Sequence, residues 1–101
     1  MPSRRLKLRY TPRAQADITE IIEYSFLRWG EHQADMYQAA IRRTVSILAD
    51  EPEIGRVRHE LSPGLKSHPV GSHVIYYLAF HDELLIIRIL HDRRDPAREM
   101  W

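Results

Sequence analysis

Lys66, Arg88, His91, Arg93 and Arg94, with Arg56 and Arg58 upstream, are the residues of this chain best suited to chemistry. Cations gathered on one sheet could hold RNA phosphates while the His91 imidazole shuttles a proton during cleavage by the ribose 2′-hydroxyl. The same residues also suit a solvated rim in which Asp92, Arg93 and Asp95 pair with one another. Arg88 stands apart, because a charge inside the apolar run Leu84 to Leu90 needs either a partner or an exposed face. Alternation groups it with Leu84, Ile86 and Leu90, opposite Leu85, Ile87, Ile89 and His91. The Arg88 face is expected to lie away from the helices, unless an acidic residue pairs with it.

Other chemistries fit poorly. Six histidines invite a metal, but none has the close helical pairing of a zinc site and there is no cysteine to assist. Ser25, Ser46, Ser62, Ser67 and Ser72 lack a nucleophile-elbow context, and no glycine loop could cradle phosphate. No metal or cofactor is expected.

The elements that must position these residues are legible in the spacing. Leu6, Leu8 and Tyr10 alternate with Lys7 and Arg9, as in a half-buried strand. Thr11 suits an N-cap and Pro12 a first helical position. Ala14, Ile18, Ile21, Ile22, Phe26 and Trp29 then follow at helical spacing as one apolar face, and Gly30 provides a stop. Glu31 to Asp50 reads as a second helix, with Ala34, Tyr37, Ile41, Val45 and Leu48 as its main stripe. Met36, Ala40 and Ile47 form another stripe roughly 120° away. Together with Tyr24 and Leu27 on the first helix, it would make a patch for a protein partner.

Residues 51–55 end the helical region, and 56–63 are expected to be loop. Leu65 to Val70 is a possible strand, at an edge or bulged because Pro69 cannot donate to a ladder. His73 to His81 and Leu84 to Leu90 form a hairpin around Asp82-Glu83. The order β-α-α-β-β-β predicts an α+β fold, a helical hairpin packed on a small, mainly antiparallel sheet.

At 101 residues, 44% of them hydrophobic, the chain is expected to be a single domain spanning 1–101. A net charge of +1 does not imply a bulk nucleic-acid binder. Arg4, Arg5, Lys7 and Arg9 interrupt any signal-peptide core, and no apolar run approaches the roughly 20 residues of a membrane span. With no cysteine, these features suit a reducing cytoplasm.

Several segments, taken in order, resemble the ParE branch of the RelE/ParE toxin superfamily. They are Tyr10-Thr11-Pro12-Arg13 through Ile18, Trp29-Gly30-Glu31-His32-Gln33-Ala34, and Leu48 through Gly55. Leu61-Ser62-Pro63-Gly64-Leu65-Lys66-Ser67 and Arg88 through Pro96 complete the set. The resemblance implies the toxin of a bacterial type II toxin–antitoxin pair, a plasmid or chromosomal stabilisation module. It implies inhibition of DNA gyrase by binding, without chemistry of its own, and neutralisation by a ParD-like antitoxin that wraps the toxin. DNA is then met only through the antitoxin or the gyrase complex.

On this reading Tyr24, Leu27, Met36, Ala40 and Ile47 meet the antitoxin, while Arg93, Arg94 and the segment to Trp101 meet the target. The tail departs from the family pattern at Arg94, where a methionine or similar residue is common. The RelE branch cleaves ribosome-bound mRNA, and Lys66, Arg88 and His91 would serve that alternative. No tyrosine follows Tyr77, however, and Trp101 cannot act as an acid or base. A third alternative is a non-toxic, antitoxin-binding co-repressor.

Overall fold

The computed structural model describes residues 5–101, and Arg4 lies outside them. β1 (Lys7–Tyr10) leads into α1 (Pro12–Trp29), α2 (Glu31–Asp50) and a 3-10 turn at Pro52–Ile54. β2 (Arg56–Val57), β3 (Lys66–Val70), β4 (His73–Phe80), β5 (Glu83–His91) and α3 (Pro96–Glu99) follow. The five strands form one sheet in the order β1-β5-β4-β3-β2, antiparallel except for β1 beside β5. This is the expected α+β class, with two additions. β2 lies in the stretch expected to be loop, and α3 in the charged tail.

Local chemistry sets the helix bounds. Thr11 Oγ1 accepts the Ala14 N–H at 3.0 Å and donates to the Ile87 carbonyl at 2.7 Å, so one side chain caps α1 and ties it to β5. Gly30, at φ 92°, donates its N–H to Phe26 and accepts from Ala34 N–H, serving both helix ends. α2 buries Ala34, Ile41, Val45 and Leu48 as its spacing predicts. Pro69 sits where β3 has β4 on one side only, since β2 pairs no further than Lys66 and Ser67.

Two apolar layers flank the sheet. Under the helices lie Ala14, Ile21, Ile41, Val45, Leu48, Ile75, Tyr77, Leu84, Ile86 and Ile89. On the other face Leu65, Tyr76, Ile87, Leu90 and Met100 pack together. These layers correct the alternation expected for β5. Tyr76 pairs with Arg88 but Tyr77 with Ile86, so Ile87 is the extra residue of a bulge. Past the bulge the phase flips, placing Ile89 with Leu84 and Ile86, and Leu90 in the opposite layer.

The face of α1 is also corrected. Ala14, Asp17, Ile21 and Ser25 are buried, whereas Phe26 and Trp29 are 51% and 61% exposed. The helix is turned so that Asp17 meets the sheet. Trp29 instead packs edge-on against Tyr24, with ring centroids 5.8 Å apart.

Candidate functional site

The carboxylate of Asp17 explains how a charge survives inside β5. Arg88 Nε donates to Asp17 Oδ2 at 2.8 Å and Nη2 to Oδ1 at 2.9 Å, a two-pronged pair in which each residue is 7% exposed. The acidic partner expected for Arg88 is realised. Asp17 Oδ2 also accepts the Ile89 N–H at 2.9 Å. β1 pairs β5 only as far as Ile86, so Asp17 supplies the acceptor that a longer β1 would have provided. The remaining Arg88 donor, Nη1, reaches the Glu99 carbonyl of α3.

Beside this pair opens a groove of about 940 Å³. Glu20, Glu23, Tyr24 and Leu27 of α1 form one wall, with Trp29, Gln33 and Tyr37 at the helix junction. His73, Leu90, His91, Arg93 and Arg94 form the other side. The groove thus has an apolar and acidic wall facing a basic one. Tyr24 and Leu27, at 60% and 83% exposure, leave large apolar surface uncovered.

The floor is a polar cluster at the β3–β4 turn. The Tyr37 hydroxyl donates to the Val70 carbonyl at 3.1 Å and accepts the Ser72 N–H at 3.1 Å. His73 Nδ1 lies 2.6 Å from the same hydroxyl, a further hydrogen bond whose direction follows the imidazole tautomer. His73 and His91 occupy paired strand positions with ring centroids 5.3 Å apart. Burial lowers the His73 pKa, helped by neighbouring His91 and opposed by Asp92 and Asp17. His91 Nδ1 accepts the Arg93 N–H at 3.1 Å and lies 3.2 Å from Asp92 Oδ1.

Of the residues suggested for a nuclease, Lys66 stands apart from the others. Lys66 faces Glu53 across 4.0 Å from β3, with β4 between it and the strand of Arg88. Arg88 and His91 both line the groove, but Arg88 is enclosed by Asp17 and α3. Arg93 and Arg94 do share the groove, although Arg94 also pairs with Glu99 at 2.6 Å. Trp101 is exposed just past α3.

Of the residues suggested for a partner, Tyr24 and Leu27 line the groove. Met36 and Ile47 are exposed on α2 outside it, and Ala40 is partly buried against the core. Asp17, Tyr37 and His73 were not foreseen as site residues. A carboxylate between Ala14 and Ile21 on an apolar stripe was the available signal for Asp17. Among the described residues no cluster of three or more metal-ligating side chains occurs, and no helix is long and apolar enough to cross a membrane.

The model of the ParE toxin of the type II toxin–antitoxin system parDE matches residues 8–96. The chain belongs to the ParE toxin family. It is 33% identical over 91 residues to toxin ParE1 of Mycobacterium tuberculosis, covering 89% of this chain and 93% of the relative. With toxin ParE1 of Caulobacter vibrioides it shares 36% over 83 residues, 82% of this chain and 85% of that one. A solved structure of the chromosomal ParDE system from P. aeruginosa superposes with a TM-score of 0.75 at 22% identity, covering 88% of this chain and 98% of that chain. The protein is thus a ParE-type toxin of a type II toxin–antitoxin system, in the fold its sequence pattern predicts.

Proposed function

We propose that this toxin inhibits DNA gyrase by binding, in the bacterial cytoplasm, and that a ParD-like antitoxin neutralises it along the groove. The observation that carries the reading is how the cations are used. A ribonuclease needs phosphate-holding groups free and convergent on a proton carrier. Here Arg88 is committed to Asp17 and the Glu99 carbonyl, Lys66 faces Glu53, and His91 Nδ1 is engaged by Arg93 N–H. What remains accessible favours gripping a macromolecule over cutting one.

The antitoxin segment suited to the groove is amphipathic. Its apolar side would cover Tyr24 and Leu27, and its carboxylates would meet Arg93 and Arg94. The family model's own description, a toxin of parDE, supports a ParD-like partner. Arg93, Arg94 and the segment to Trp101 are the target-engaging residues, and DNA is reached only within the gyrase or antitoxin complex.

The test sets a gyrase supercoiling assay beside a cell-free translation assay, using purified toxin. Lost supercoiling with translation intact is the expected result. Cleavage of ribosome-bound message with supercoiling untouched would overturn the proposal.

A further inference from the structure

We infer that Asp17 and Arg88 are positioning residues, holding the carboxyl-terminal segment Asp92–Trp101 in the orientation in which it meets the target. This rests on the reading that Arg93, Arg94 and Trp101 engage that target. Neither Asp17 nor Arg88 has the exposure to contact it extensively.

The segment has little means of ordering itself. α3 spans only four residues, too short to persist as an isolated helix. Its Asp95 cap and the Arg94–Glu99 ion pair are internal to the segment and do not orient it on the body of the protein. Past the Asp92 N–H bond to the Ser72 carbonyl, which fixes only where the segment starts, two attachments do so. Met100, 1% exposed, is seated among Leu65, Tyr76, Ile87 and Leu90. Arg88 Nη1 donates to the Glu99 carbonyl next to it.

A single buried side chain can act as a pivot, whereas a second, directional bond beside it sets the angle of the segment. That direction comes from α1. Asp17 takes two donors of the guanidinium and fixes its plane, and the planar fork then aims Nη1 at α3. The bulge at Ile87 and Arg88 is what turns this side chain toward the sheet edge, between α1 and α3. A lysine at position 88 could still neutralise Asp17, but an ammonium has no rigid fork to carry a third donor to Glu99.

Amide exchange of full-length Arg88→Lys, followed by a growth-inhibition assay, tests the inference. The Glu99 and Met100 amides, which bond to Asp95 and Pro96, should lose protection about tenfold or more. The amides of Ile75 to Tyr77 should keep theirs, and toxicity should fall. Where Arg88→Lys does not fold, Asp17→Asn retains an oxygen for the Ile89 N–H and is read in the same way.

Unchanged protection of Glu99 and Met100 overturns the inference. So does equal loss across β4, which would mean global weakening, and so does a freed segment with full toxicity. Exchange involves no target and reads independently of gyrase. Undiminished toxicity of an Arg93→Ala/Arg94→Ala variant would reject the target assignment while leaving the exchange result standing.

Discussion

Asp17 and Arg88, 71 positions apart in the chain, form a buried two-pronged ion pair in which the carboxylate also closes the open edge of β5 at Ile89. The pair does two things at once. It lets a charged residue occupy a central strand, and it fixes the rotation of α1 on the sheet. Removing one partner strands the other charge in a dry site, so Asp17→Ala should cost about 3–5 kcal/mol. Urea unfolding reads this directly. Asp17→Leu/Arg88→Met should lose less than Asp17→Ala, because no orphaned charge remains buried.

The exposed aromatic and aliphatic wall of the groove should matter for recognition and little for folding. Tyr24→Glu/Leu27→Glu is expected to weaken a ParD-like antitoxin by about thirtyfold or more. Its melting temperature should stay near that of the native chain, since both side chains lie largely in solvent. Titration calorimetry beside thermal melts separates the two effects. Unaltered affinity would remove this wall from the antitoxin site.

The β3–β4 turn depends on a glycine. Gly71 has φ 56°, and a Cβ there would run into the Tyr37 ring that bonds both Val70 and Ser72. Gly71→Ala combines an unfavourable backbone with a displaced tyrosine, and should destabilise by about 1–3 kcal/mol. Chemical denaturation measures it. The same change should perturb the His73 imidazole signal in an NMR titration, because Tyr37 holds that ring.

Acid should weaken the fold through His73. Its pKa in the folded state is depressed, chiefly by burial and then by His91, below the roughly 6.5 of an unfolded histidine. The unfolded chain therefore binds more protons than the native one in the window between the two values. The stabilisation is complete above the unfolded value and is lost as pH falls through the folded one. His73→Asn, which keeps a polar atom near the δ position, should flatten this dependence in melts between about pH 7.5 and pH 5.5. Curves of equal slope for both proteins would count against it.

Much of this molecule is written locally. Thr11, Pro12 and Gly30 bound the helices through bonds that span at most a few residues, and those bounds agree with the structure. The stripe of α2 and the hairpin strands follow from periodicity for the same reason. β2 escaped because two residues pairing across a loop leave no repeat to read. Of the groove, Tyr24, Leu27, Arg93 and Arg94 could be picked out as candidates one by one. Their common location could not, since it depends on α1 crossing the end of β5.

The sequence alone determined the order and approximate limits of the elements other than β2 and α3, and the layered α+β plan, because capping, turns and apolar spacing act between near neighbours. Tertiary structure decided which face of α1 is inside, on which side of the bulge each β5 residue falls, and whether Arg88 is free. Each of those turns on a bond between residues far apart in the chain, above all that of Arg88 with Asp17. Neither a lone arginine in a strand nor a lone aspartate in a helix carries its partner's address. Burial makes the pairing necessary, and the packing of α1 on β5 supplies it.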